Sequence, residues 1–163
     1  MRRWTTIAWA TGLAALLAGS ITWAGGNIDQ ANSFAWSENA GWINFAPSNA
    51  VVTVTAGQGL SGYAWAENIG WIKLAAVGST YGNTTTNDWG VKLAGKTLSG
   101  FAWSENTGWI NFAPSNGGVT ISNGWFNGYA WSENVGWIHL NGTPTYGVRT
   151  TASLVVGTII TIR

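Results

Sequence analysis

Short runs in which apolar and polar positions alternate recur along the chain, and turn residues separate them. Four runs share the order aromatic-Ala-Trp-(Ser/Ala)-Glu-Asn-x-Gly-Trp-Ile, in copies near residues 33–46, 61–75, 99–113 and 127–141. Alternation with a period of two is typical of strands, and a turn sequence ending in Gly between two such runs is typical of a hairpin. Each copy therefore predicts a β-hairpin.

A Gly closes each predicted turn, and it determines the expected pairing. Because Gly adopts a left-handed backbone without steric cost, we expect positive φ at Gly41, Gly70, Gly108 and Gly136. We also expect a four-residue loop, with Ser37 paired to Trp42 in the first copy. This register makes the first Trp of each copy a core residue: Trp36, Trp65, Trp103 and Trp131. It places the second Trp and a polar neighbour on the opposite face: Trp42, Asn44, Trp71, Lys73, Trp109, Asn111, Trp137 and His139.

Further β-prone runs precede three of the four hairpins, so each repeat is expected to have three strands. The first hairpin has no such run before it, whereas an extra run, 146–151, follows the fourth hairpin. The chain is therefore predicted to be all-β, with residues 25–163 as one domain of antiparallel hairpin repeats in three-stranded units. These units are expected to pack as a sandwich, prism or closed barrel, and a β-solenoid is the alternative.

Residues 1–24 differ from the rest of the chain. Arg2 and Arg3 precede an apolar run, and a small-residue site ends at Ala24. This order is typical of a helical signal peptide, so the protein is expected to be secreted, extracellular or held at the cell surface. Membrane attachment is expected only if this segment stays uncleaved.

Charge is scarce, since only 8% of the 163 residues are charged and Cys is absent. After residue 24, five basic and six acidic residues remain, which gives a net charge of 5 − 6 = −1. Such a chain has no basic surface for nucleic acid or anionic lipid. Near-zero net charge favours association between chains.

Four acidic side chains, Glu38, Glu67, Glu105 and Glu133, occupy equivalent turn positions. A glycosidase needs two carboxylates of different pKa across one substrate, and equivalent positions give no such division of roles. His139 is the one His, too few for a zinc site without Cys. We therefore expect no enzyme activity, no catalytic residue, no metal and no cofactor.

The second Trp of each copy supports two functional interpretations. Trp is enriched at subunit contacts, which favours a structural protein that assembles into filaments or a surface layer. An exposed indole beside Asn, Lys or His also suits sugar binding, so a carbohydrate-binding module with a glycan ligand is the alternative.

The apolar C-terminal segment, 153–163, suggests how self-assembly would proceed. Its apolar side chains are expected to form a strand that pairs with the open edge of the first hairpin: Leu154, Val156, Ile159, Ile160 and Ile162. Within one molecule this pairing would close a ring, and between molecules it would build a homo-oligomer or polymer.

The repeated sequence Gly-Tyr-Ala-Trp-Ser-Glu-Asn-x-Gly-Trp-Ile, as at 128–138, resembles a tryptophan-rich tandem motif of exported and cell-surface bacterial proteins. The resemblance covers about thirteen residues in each of the four copies. It implies a secreted β-repeat protein and assigns no catalytic residue.

Overall fold

The computed structural model describes residues 25–154, and within this range the chain is all-β with no helix. The predicted signal segment, 1–24, and most of the predicted C-terminal strand, 155–163, lie outside the described residues. Within 25–154 there is also no helix of the length and apolarity that crossing a membrane requires. The strands are β1 (Ile28–Ser37), β2 (Gly41–Asn44), β3 (Val52–Thr55), β4 (Gly59–Ala66), β5 (Gly70–Lys73), β6 (Val91–Ala94), β7 (Thr97–Ser104), β8 (Gly108–Asn111), β9 (Gly118–Ser122), β10 (Trp125–Ser132), β11 (Gly136–His139), β12 (Asn141–Gly142) and β13 (Tyr146–Thr150).

Eight of these strands close into an antiparallel barrel. Neighbours follow the order β1-β2-β4-β5-β7-β8-β10-β11, and β11 pairs with β1 to complete the circle. The barrel consists of four hairpins, here called hairpin 1 (β1-β2), hairpin 2 (β4-β5), hairpin 3 (β7-β8) and hairpin 4 (β10-β11). Of the predicted architectures, the closed barrel is therefore confirmed over the sandwich, prism and solenoid. A closed barrel leaves no unpaired strand edge.

The first halves of the four long strands, β1, β4, β7 and β10, form a second ring together with four short strands. The short strands β3, β6, β9 and β13 alternate with them. Asn27 completes this ring, since its backbone N–H donates to the carbonyl of Val52 and its side-chain amide exchanges two hydrogen bonds with the backbone of Val54. Each repeat is thus three-stranded, and β13 supplies the strand that hairpin 1 lacks in sequence.

The pairing of β13 changes the argument for assembly through the C-terminal tail. Hairpin 1 was expected to offer an open edge to 153–163, but β13 and β11 already pair with β1 within the same molecule. Leu154 is partly buried against the core. The other predicted tail residues, Val156, Ile159, Ile160 and Ile162, lie outside the described residues. Hairpin 1 therefore has no open edge to which the C-terminal segment could add as a strand.

The predicted hairpin register is wrong by one residue. Ser37 pairs with Gly41, Trp36 with Trp42 and Ala35 with Ile43, so three residues rather than four lie in the loop. The same pairing recurs in the other three hairpins. Since a one-residue slip exchanges the faces of a strand, both Trp residues of each hairpin lie on the outside of the barrel. The prediction that Trp36, Trp65, Trp103 and Trp131 are core residues is wrong.

The size of the barrel interior explains this arrangement. An eight-stranded barrel is just wide enough for side chains of moderate size to fill it, and four inward indoles in one layer would exceed that space. Instead each hairpin contributes a small residue facing an Ile: Ala35 with Ile43, Ala64 with Ile72, Ala102 with Ile110, and Ala130 with Ile138. All eight are at most 3% exposed. A layer of Phe45, Leu74, Phe112 and Leu140 lies next to them.

The turns behave partly as predicted. Positive φ at the closing glycines is confirmed, with values of 72°, 73°, 73° and 72° at Gly41, Gly70, Gly108 and Gly136. The residue before each of these glycines varies in type but is buried in every copy, at positions 40, 69, 107 and 135. Ala40, Ile69, Thr107 and Val135 therefore close one end of the barrel.

Glycine also marks the place where three long strands pass from one ring to the other. Gly62, Gly100 and Gly128 have φ of 91°, 80° and 99°. A Cβ at any of them would collide with a backbone carbonyl of the adjacent chain segment. In β1 the equivalent residue is Ser33, and there the pairing with β13 shifts register.

The register predicts destabilisation of different size at two adjacent residues of β8. Ile110 is 2% exposed, so Ile110→Ala should lower the free energy of unfolding by about 2–5 kcal/mol through lost burial and cavity formation. Trp109 is 45% exposed, so Trp109→Ala should cost only about 0.5–1.5 kcal/mol, chiefly its aromatic contacts. Urea unfolding of both variants tests this, and a larger loss for Trp109→Ala would contradict the observed register.

Thr107 provides a stabilising substitution. Its hydroxyl is the buried side-chain polar atom without a hydrogen-bond partner in residues 25–154, and its counterparts are apolar. Thr107→Val keeps the shape and removes the unsatisfied group, so it should stabilise by about 1 kcal/mol. Gly108→Val should destabilise, because Val tolerates positive φ poorly. Thermal melts compare the two, and a lower melting temperature for Thr107→Val would show that the hydroxyl is satisfied.

Candidate functional site

Three aromatic side chains from each hairpin form a cluster on the outer face of the barrel. In hairpin 3 these are Phe101, Trp103 and Trp109. The rings of Trp103 and Trp109 meet edge to face with centroids 4.7 Å apart, and Phe101 lies 6.0 Å from Trp109. The other hairpins repeat this geometry, with Trp–Trp distances of 4.7, 4.7 and 4.8 Å. Twelve aromatic residues thus surround the barrel.

The eight site residues predicted in the hairpins lie on this outer face. The second Trp of each hairpin is exposed, and its polar neighbour is half-exposed: Trp42 with Asn44, Trp71 with Lys73, Trp109 with Asn111, and Trp137 with His139. On the adjacent strand, the polar residue is paired with the first Trp of the next hairpin. Asn111 pairs with Trp131, and His139 pairs with Trp36. The structure therefore brings together residues of successive hairpins rather than of one hairpin.

Two segments outside the hairpins add further aromatic rings. Trp89 lies edge-on to Trp109 at 5.3 Å, and Tyr146 lies edge-on to Trp42 at 5.1 Å. Lys73 places its Nζ 5.7 Å from the centroid of Trp89. The sequence motif did not identify Trp89 or Tyr146, because both lie outside the repeated hairpins. The available signal was that the segments after hairpins 2 and 4 carry a further Trp or Tyr, unlike the Phe-Ala-Pro-Ser-Asn segments after hairpins 1 and 3.

The segment that carries Trp89 is held in shape by hydrogen bonds. Asp88 accepts backbone N–H bonds from Thr85 and Thr84 at 2.7 and 2.9 Å, together with the Thr84 hydroxyl. These bonds lower the pKa of Asp88 below 3.8. Tyr81 anchors the same segment, since its ring is buried and its hydroxyl donates to the carbonyl of Leu60.

The Asn of each turn joins its hairpin to the one before. Asn134 donates from Nδ2 to the carbonyl of Thr107 at 3.0 Å, and Asn39 donates to the carbonyl of Val135 at 3.2 Å, which links the last hairpin to the first. Asn68 and Asn106 do the same. The turn Asn residues therefore hold neighbouring hairpins together.

The outer face has an open cleft between hairpins 3 and 4, here called cleft A. Its volume is about 830 Å³. Trp109 and Trp103 line one side, Trp131 and Glu133 line the other, and Trp89 with 83–86 closes one end.

A similar cleft lies between hairpins 4 and 1, here called cleft B, with a volume of about 800 Å³. Trp137 and Trp131 line one side, Trp36 and Glu38 line the other, and Tyr146 extends the aromatic surface. Both clefts thus combine indole rings with one carboxylate.

His139 gives cleft B a titratable group. Its ring stacks on Tyr129 with centroids 4.2 Å apart and an interplanar angle of 8°, and its Nδ1 lies 2.8 Å from the hydroxyl of Tyr146. Burial lowers the pKa of His139 below 6.5, because the imidazolium would lose solvation there. Burial therefore favours the neutral form of the ring.

Charge in the two clefts is sparse and acidic. Glu133 lines cleft A and Glu38 lines cleft B, and no Lys or Arg among the described residues lines either cleft. Residues 25–154 also contain no group of three His, Cys, Asp or Glu side chains that could hold a metal ion. A neutral ligand with hydroxyl groups fits this surface, whereas a polyanion does not.

Comparison of the chain with protein-family models, curated proteins and solved structures found no match. The function must therefore be inferred from the site.

The hydrogen bond from Asn134 to the carbonyl of Thr107 predicts that an isosteric substitution of Asn134 lowers the stability of the fold. Asn134→Asp removes the donor and places a carboxylate against the carbonyl of Thr107, so it should destabilise the fold by about 1–3 kcal/mol at neutral pH. Glu133→Gln changes the adjacent, exposed side chain and is the matched control, which should leave stability unchanged. Equal urea midpoints for the two variants would mean that the bond contributes nothing.

The environment of His139 predicts a pH-dependent stability. Because its pKa is lowered in the folded state, the unfolded state binds more protons as the pH falls below 6.5, and stability declines there. His139→Asn, which introduces the residue found in hairpins 1 and 3, should abolish this decline. Asp29 and Asp88 have pKa values below 3.8, so their contributions are lost only at lower pH. Denaturant midpoints across this pH range measure the effect, and parallel curves would contradict it.

Proposed function

We propose that the protein is a secreted, non-enzymatic carbohydrate-binding protein that holds neutral glycans in the clefts between its hairpins. The observation that carries the proposal is the pair of open clefts of about 800 and 830 Å³, each with indole rings on both sides and with Asn and Glu side chains among them. Ligand sites are commonly concave and largely apolar, with a small number of polar groups that set orientation.

The chemistry of the clefts suits a sugar ring. The apolar C–H face of a hexose packs on the flat face of an indole, while its hydroxyls need hydrogen-bond partners at the edge. Glu133 in cleft A and Glu38 in cleft B accept bonds from hydroxyls, and Asn111 or His139 supplies a further polar group at the side. The absence of Lys and Arg from the described lining argues against sulfated or uronic-acid glycans.

The carboxylates support binding rather than hydrolysis. Glycoside hydrolysis ordinarily requires two carboxyl groups on either side of the scissile bond, about 5–9.5 Å apart. Each cleft is lined by one carboxylate among the described residues, from the turn of the following hairpin. This distribution supports a protein that binds a glycan without cleaving it.

Self-assembly, the function favoured by the sequence, has less support. Its proposed acceptor, an open edge at hairpin 1, is paired within the molecule. The exposed indoles remain available to a second copy of the chain, so the test must separate glycan binding from association.

A glycan microarray that carries neutral and acidic glycans, probed with the full chain, tests the proposal. We expect binding to neutral glycans and none to acidic ones. The double variant Trp109→Ala/Trp137→Ala removes an indole from each cleft and should lose most of this binding. Trp71→Ala is the matched control, since Trp71 is equivalent and exposed but lines neither cleft, and it should bind normally.

Size-exclusion chromatography of the same variants separates the two functions. An unchanged elution volume with lost glycan binding supports the proposal. Failure of the wild-type chain to bind any neutral glycan, or a double variant that changes only its oligomeric state, would overturn it.

A further inference from the structure

Clefts A and B share one side chain. Trp131, the first Trp of hairpin 4, lines both of them. Its ring also contacts Trp137 in the same hairpin, at 4.8 Å. The two clefts are therefore adjacent, on either side of hairpin 4, and Trp131 lies where they meet.

The two clefts are built on the same register. In cleft A the first Trp of the following hairpin, Trp131, lies opposite Asn111, and in cleft B Trp36 lies opposite His139. One hairpin spans two strands, so equivalent groups in successive clefts are about 10 Å apart along the sheet. A ligand with a regular repeat meets an indole pair and a polar residue at equivalent positions in each cleft.

Successive clefts also have the same polarity. Every hairpin begins with the long strand and returns on the short one, as β7-β8 and β10-β11 do. Cleft B is thus related to cleft A by rotation about the barrel axis, without reversal. A head-to-tail polymer, whose units all point one way, fits such a pair of sites.

The barrel adds a condition on the shape of that polymer. Four hairpins complete one circle, so the outer surface turns through about a quarter of a revolution from one hairpin to the next. A straight, stiff glycan placed in cleft A leaves the surface before it reaches cleft B. A glycan whose backbone curves can follow the surface across Trp131.

We infer that clefts A and B form one extended site for a linear, neutral glycan with a curved backbone, which crosses Trp131. The inference rests on the proposed function and adds to it the shape and the continuity of the ligand. Trp131 is then the residue that makes two weak sites into one, because binding in the second cleft becomes intramolecular once the first is filled.

Calorimetric titration of the full chain with oligosaccharides of increasing length tests the inference. The curved probes are malto-oligosaccharides and laminari-oligosaccharides, and the straight probes are cello-oligosaccharides, each from disaccharide to octasaccharide. With a curved series we expect short members to bind weakly at two sites. Longer members should bind with one chain per protein and an affinity about a hundredfold higher. The cello-oligosaccharides should show no such gain.

Two variants identify the origin of the length dependence. Trp131→Ala should weaken the binding of short oligomers, because this indole lines both clefts, and it should also remove the gain with length, so that long and short members bind with similar affinity. Trp65→Ala is the control, because Trp65 is the equivalent first Trp of hairpin 2 and lines neither cleft, and it should retain the gain. Melting temperatures of both variants show that they remain folded.

The outcomes separate the inference from the proposed function. Binding of short oligomers with no gain in either series, or an equal gain in the straight series, overturns the continuous curved site and leaves carbohydrate binding standing. A gain that survives Trp131→Ala also overturns it. If neither series binds, the inference fails, and the microarray result then decides whether carbohydrate binding fails with it.

Discussion

The pairing of Ser or Ala with Gly across each hairpin turn is the constraint on which the other features of the barrel depend. Gly41 and its three counterparts adopt positive φ, so a three-residue loop is enough to reverse the chain. This loop length sets a register in which Ala and Ile face inward and both indoles face outward. A loop one residue longer would exchange the two faces, and neither the core nor the aromatic surface would exist.

Closure of the barrel makes the hairpins depend on one another. A single two-stranded hairpin is marginally stable in water, and here each is paired on both edges by its neighbours. The Asn of each turn adds a bond to the carbonyl of the preceding hairpin, including the bond from Asn39 to Val135 that joins the first to the last. Each cleft has walls from two hairpins, and cleft B, between hairpins 4 and 1, exists only in the closed ring.

Differences between the repeats, more than the repeated motif, distinguish the two clefts from the rest of the outer face. Hairpins 2 and 4 are followed by segments that carry Trp89 and Tyr146, whereas hairpins 1 and 3 are followed by short Pro-containing loops. These added rings extend cleft A and cleft B beyond the three aromatic residues of each hairpin. His139 further separates cleft B from cleft A, where Asn111 occupies the equivalent position.

The sequence by itself determined the local structure: four hairpins, their closing glycines, the strands before them and the exposure of the second Trp of each copy, since these follow from alternation and from the conformational freedom of Gly. It did not determine the register, because placing the largest apolar residue in the core ignores the limited width of an eight-stranded barrel, which admits Ala and Ile but not four indoles in one layer. It also did not reveal that β13 completes hairpin 1, that Asn39 and its equivalents bond between hairpins, or that Trp131 lines two clefts. Those contacts join residues as far apart as 28 and 150, and only closure of the ring brings such distant residues together.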